Sequence, residues 1–192
     1  MAEAVVRGAG RPRDVTVDAA VLRATQDLLL EQGFDRLSVE GVAARAGVAK
    51  ATIYRRWPGK TALVVAAVAE LYHVPPVPDT GDLREDLLAC GRTYVHQGRT
   101  QAVLAGLMTA MVHEDELRTA ATAAIGGPYT ALFHQVISRA VERGEAQPDT
   151  DVTSVSEVFP ALAFHRGAAL GLAVDEQMVV RVVDRLLLPL LR

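Results

Sequence analysis

Apolar positions recur at helical spacing along almost the whole chain, and no stretch alternates as a strand requires. From Thr16, a suitable N-cap, the chain places Val17, Ala20, Val21, Ala24 and Leu28 on one helical face, and Gly33 stands where a C-cap is expected. Ser38 is a second N-cap, opening a short helix that ends before Gly47. Another short helix over residues 49–57 stops at Pro58 and Gly59. Residues 60–72 predict a long helix that is apolar on most faces and therefore interior.

Pro75, Pro76 and Pro78 exclude helix from 74–81, the clearest break in the chain. Asp82 and Glu85 resemble a capping pair for a helix carrying Leu83, Leu87, Cys90 or Gly91, and Tyr94 on one side. Helices are expected at 101–112 and 114–125, and Pro128 suits the first turn of another that Gly144 terminates. Pro160 predicts a kink or break within 151–172. A last amphipathic helix over 175–191 carries Val179, Val183, Leu186 and Leu190 as its stripe. The fold class expected is all-α.

Composition adds three constraints. Half of the 192 residues are hydrophobic and 22% charged, enough for a sizeable core. One cysteine, Cys90, excludes an internal disulfide framework and any multi-cysteine metal site. There is no run of the roughly 20 apolar residues a membrane helix needs, and no apolar N-terminal signal, so a soluble, cytoplasmic protein without a membrane role is expected. The net charge of −3 is unevenly spread: residues 1–60 hold 10 basic against 7 acidic side chains, and residues 61–192 hold 10 against 16. A basic head on an acidic body follows.

The informative segment is 38–57. Two short helices meet at Ala46-Gly47-Val48, with Val42, Ala43, Val48 and Ile53 placed to pack them together. The second helix then presents Lys50, Ala51, Tyr54 and Arg55 on roughly one side, with Thr52 nearby. Cations neutralise phosphates, hydroxyls bond phosphates or base edges, and a small Ala permits close approach. That is helix-turn-helix chemistry, with the second helix in the major groove.

These residues resemble the TetR family of bacterial transcriptional regulators, through Gly33-Phe34, Ser38-Val39, Val42-Ala43, Ala46-Gly47-Val48, Thr52-Ile53-Tyr54, Trp57, Lys60 and Leu63. Ala49 stands where the family often has a capping Ser, and Trp57 where Phe is usual. The resemblance implies a flexible basic arm over 1–14, a three-helix DNA-binding domain over 15–60, and a larger helical effector-binding and dimerisation domain over 61–192. It implies that Lys50, Ala51, Thr52, Tyr54 and Arg55 face the groove, with Ser38 and Lys60 on phosphates. Arg11 and Arg13 resemble a Gly-Arg-Pro element that lies in a narrow minor groove.

The resemblance also implies a homodimer on a palindromic operator in double-stranded DNA, joined through the last two helices. The Ala- and Gly-rich run from Ala161 to Gly171 and the final stripe suit close approach. A small-molecule effector cavity is implied among the middle helices, with Tyr94, Leu104, Leu107, Met108, Met111, Phe133, Phe159 and Phe164 as candidate walls. A small apolar ligand would then release a repressor from DNA. The alternative is a helical interaction module without sequence-specific DNA binding. No cofactor, metal or catalytic group is implied: His73, His96, His113, His134 and His165 show no paired metal-binding spacing.

Overall fold

The computed structural model describes residues 15–95 and 98–192, and among these there is no β-strand. The expected basic arm, including Arg11 and Arg13, lies outside the described residues. The elements are α1 (Val15–Arg36), α2 (Val39–Ala46), α3 (Lys50–Tyr54), α4 (Lys60–Ala69), α5 (Leu83–Arg92), α6 (Gly98–His113), α7 (Asp115–Ala121), α8 (Gly127–Glu142), α9 (Val152–Phe164), α10 (Glu176–Val182) and α11 (Leu188–Leu190). Among the described residues, π-helical segments at Thr122–Gly126 and Val183–Leu187 join consecutive helices, and a third at His165–Ala169 extends the end of α9.

Local chemistry sets many of the ends. Gly33 takes φ 74°, bending the chain before Phe34. Ser38 Oγ accepts from Gly41 N–H at 3.1 Å, and Asp82 Oδ1 accepts from Glu85 N–H at 2.9 Å. Asp151 and Asp175 cap α9 and α10 in the same way. Of the kink or break expected at Pro160, the break does not occur, since α9 runs unbroken through it. The helices expected at 114–125 and 128–143 are likewise continuous through the first π segment. Pro128 has no N–H to give the turn before it, and the ladder widens there, with Gly127 N–H bonding Thr122 O five residues back.

Two apolar clusters organise the packing. One joins α1 and α2 with Ile53 of α3, then α4, and continues into Val103 and Leu107 of α6, Leu117 of α7 and Ile125. The other is built from α5, α8, α9, α10 and the C-terminal turns. Partly buried Tyr72 packs against both. A cross-link within the first is Gln26 Nε2, which donates to Ala67 O at 2.8 Å and ties α1 to α4.

The chain between α4 and α5 is pinned by polar contacts. Asp86, 1% exposed, accepts from Thr80 N–H and Oγ1 at 2.8 and 2.7 Å. Arg139 donates to Pro78 O at 3.3 Å and pairs with Asp79 at 3.1 Å. Glu145 accepts from Leu83 N–H at 3.0 Å. These contacts fix the segment that follows Tyr72 against α5 and α8.

Cys90 is fully buried, and that burial, reinforced by the Asp86 charge, pushes its thiol up to about 12. Thiolate is the reactive form, so the native protein should resist alkylation by iodoacetamide at pH 8 and react fully once unfolded. Rapid labelling of the native chain, followed by mass spectrometry, would contradict this packing.

The final helix corrects the expected dimer stripe. Val179 and Val183 are fully buried within the chain, while Leu186 and Leu190 are 43% and 56% exposed. The buried row runs Val179, Val183, Leu187, Leu191 at intervals of four. A regular α-helix rotates such a row steadily away from its starting face. The wider π turn at Val183–Leu187 turns it back, so Leu187 and Leu191 enter the core in place of Leu186 and Leu190.

Candidate nucleic-acid interface and effector cavity

The turn between α2 and α3 depends on Gly47, whose φ of 67° and ψ of 31° put it in the left-handed region. Val48 N–H then bonds Ala43 O at 3.0 Å, and Ile53, 1% exposed, packs with Val42 and Ala43 in the α1–α2 core. Anchoring Ile53 inward leaves Lys50, Ala51, Tyr54 and Arg55 exposed and Thr52 half-buried. Ala49 provides no side-chain cap, and α3 is held instead by its backbone and by Ile53. Trp57 N–H bonds Ile53 O at 2.9 Å and its ring packs on the same core.

Several basic side chains already have partners. Lys50 pairs with Glu40 of α2 and lies 5.4 Å from the centre of the Tyr54 ring. Their hydrogen bond holds the Glu40 carboxyl below, and the Lys50 ammonium above, the ordinary range. Lys60, at the start of α4, donates to Asp35 O at 3.2 Å and sits 4.2 Å over the Phe34 ring. Ser38 is exposed, but its oxygen caps α2. Arg55 forms no ion pair among the described residues.

Arg56 is set apart from this face. Its guanidinium pairs with Asp18 of α1, the two side chains being 15% and 27% exposed. Nothing in the spacing marked this contact, because the partners are far apart in sequence. Arg56→Ala leaves Asp18 largely buried without its counter-charge, and should cost about 1–3 kcal/mol of stability in a thermal or urea melt. A loss below about 0.5 kcal/mol would place the pair among solvent-screened surface contacts.

A cavity of about 180 Å³ lies where α5, α6, α8 and α9 meet the chain after α4. Its walls are Tyr72, Tyr94, Leu104, Ile125, Gly126, Tyr129, Pro160 and Phe164, none of them charged. Three of the eight expected wall residues are therefore present: Tyr94, Leu104 and Phe164. Phe159 and Phe133 sit behind Tyr94, their rings stacked at 5.3 Å in the core. Leu107 is fully buried in the other cluster, Met111 packs on that cluster, and neither these nor half-buried Met108 line the cavity. Tyr72 and Tyr129 escaped sequence reasoning, although each is an aromatic beside a helix-breaking segment. Tyr129 meets both Tyr72 and Tyr94 edge to face, at 5.4 and 5.1 Å.

Residues 21–67 match the family model for bacterial regulatory proteins of the tetR family, and residues 77–186 match the tetracyclin repressor-like C-terminal domain. A DNA-binding transcriptional repressor TetR from Mycobacteroides abscessus is 36% identical over 184 residues, covering 94% of this chain and 96% of its own. The chain belongs to the TetR family. The crystal structure of the TetR family transcription regulator SCO0332 is 34% identical with TM-score 0.65, covering 89% of this chain and 96% of that one. The flavonoid-responsive regulator FrrA is 26% identical with TM-score 0.66, covering 88% and 91% respectively.

As a TetR-family protein, the chain is a DNA-binding transcriptional regulator with an all-α, helix-turn-helix architecture. Among the described residues no helix is long and apolar enough to cross a membrane.

Proposed function

We propose that this regulator is a cytoplasmic, homodimeric repressor that occupies a palindromic operator and leaves it when a small apolar molecule fills the cavity. The observation that carries this reading is the position of Tyr72. It lines the cavity, follows directly on α4, and packs against both apolar clusters. A ligand that alters its seating acts on the helix that begins at Lys60, beside the DNA-reading helix. Release then equals the difference in ligand affinity between conformations with matched and mismatched heads.

On this reading Lys50, Ala51, Thr52, Tyr54 and Arg55 face the major groove, Ser38 and Lys60 contact phosphates, and Arg11 and Arg13 enter the adjacent minor groove. A head with so few base contacts gains specificity by working in pairs. Exposed Leu186 and Leu190, with exposed Ala161, Ala169 and Gly171 nearby in the chain, support a two-fold contact through the last helices. The flavonoid response in the name of one relative supports a small-molecule effector.

The test is selection of bound DNA from a random or genomic-fragment library at near-physiological salt, using wild type, Tyr54→Ala and Lys50→Ala. An enriched palindrome lost in both variants supports the reading. Enrichment indifferent to both substitutions, or none at all, removes it and favours a protein-interaction role for the head.

A further inference from the structure

The cavity is specific about what it can hold. An apolar cavity of about 150 Å³ accommodates one benzene molecule, so 180 Å³ suits a single ring with a small substituent. No lining residue carries a charge. A carboxylate or phosphate placed there would lose its hydration without gaining a counter-ion. A long acyl chain would extend beyond this volume through the open side, and its carboxylate would meet no counter-ion on the walls.

What the walls do offer is aromatic, almost wholly apolar surface with a small polar share. Tyr129 is held in place by its hydroxyl, which donates to His73 O at 3.2 Å. Tyr72 and Tyr94 flank it edge to face, and neither of their hydroxyls is hydrogen-bonded among the described residues. Burial raises both phenols well above the ordinary tyrosine value, so each remains an O–H donor at any physiological pH. Tyr72 is partly buried and Tyr94 lines the cavity, so a hydroxyl there with no protein partner among the described residues can donate to a ligand that supplies an acceptor.

We propose that the cavity binds an uncharged molecule built on a single aromatic ring and bearing an oxygen acceptor, its ring against Tyr129, Leu104 and Phe164 and its oxygen accepting from Tyr94 or Tyr72. This defines the effector class and rests on the release reading above. The aromatic walls prefer a planar ring in offset or edge-to-face contact, and the hydroxyls discriminate a carbonyl or phenol from a hydrocarbon of the same size.

The test uses the full chain and four probes: acetophenone, its near-isosteric anion benzoate, ethylbenzene, and laurate. Calorimetry should show saturable acetophenone binding, at least tenfold weaker benzoate binding, and no laurate binding. Tyr94→Phe removes only a hydroxyl; combined with Tyr72→Phe it should weaken acetophenone several-fold and leave ethylbenzene unchanged. Leu104→Trp should block both ring compounds. Benzoate or laurate binding as tightly as acetophenone overturns the proposal, as does acetophenone binding that ignores the tyrosine substitutions.

Retention of the selected operator is measured in the same samples. A protein that holds DNA yet binds no ring compound overturns the ligand class and leaves DNA reading intact. One that binds acetophenone as described and keeps its DNA undiminished supports the ligand class and removes the release reading.

Discussion

Phe159→Ala is expected to destabilise the protein by about 3–5 kcal/mol, the range for deleting a fully buried aromatic ring. Phe159 has no exposed surface; its ring stacks on Phe133 at 5.3 Å and meets Tyr94 at the same distance. It also abuts α5 where Gly91 leaves room. A Cβ on Gly91 would lie 3.0 Å from the Phe159 ring and 2.7 Å from Val179. Truncation therefore opens a void bounded by helices from both sides of the cluster, which relaxation cannot readily close. In a chain of this length the loss should lower Tm by roughly 6–20 °C. Differential scanning calorimetry checks it. A change under about 1 kcal/mol would mean that the α5–α9 contact is looser than described. Because the rings stack, Phe133→Ala combined with Phe159→Ala should cost less than the sum of the two singles.

Arg55→Ala is the second large effect, expected on DNA affinity rather than on stability. The side chain is exposed and forms no ion pair among the described residues, so its removal leaves the packing of α3 on Ile53 intact. A base contact made by Arg contributes about 10- to 100-fold in discrimination. Loss of that size on the selected operator, with little change on unrelated DNA, would mark Arg55 as a reader of bases. An equal, modest loss on both, with a shallower salt dependence, would assign it to phosphate. Lys50 behaves differently because Glu40 already holds it. Glu40→Gln frees the ammonium and removes a negative charge beside the exposed face of α3, so on the proposed reading DNA binding should tighten and association accelerate most at low salt. Weakened binding in Glu40→Gln would show that the pair orients Lys50 for DNA instead of competing with it.

Both predictions rest on features of unequal legibility. The head could be read because its determinants are close in sequence. Ser38 reaches a backbone N–H three residues away, Gly47 supplies one left-handed turn, and Ile53 points inward because its neighbours in a short helix must point outward. The same locality made Asp82 and Gly144 readable as helix boundaries. The TetR-family assignment follows from that run of residues and is supported by matches over both parts of the chain.

The body was legible as helices but not as a site. Its cavity draws one or two residues from each of several elements, and whether an aromatic faces the cavity or the core depends on the element opposite. Tyr94 lines the space while Phe159 fills the core behind it; nothing in their local sequence distinguishes them. The π turn at Val183–Leu187 likewise exchanged Leu186 and Leu190 for Leu187 and Leu191 in the core. The Arg56–Asp18 pair joined residues 38 positions apart. The sequence by itself thus determined the helical class, the capped ends and the exposed face of α3, since each arises from contacts within a few residues. The tertiary structure alone decided the cavity walls, the long-range ion pair and the outward face of the last helix, since burial depends on which surface lies across from a side chain.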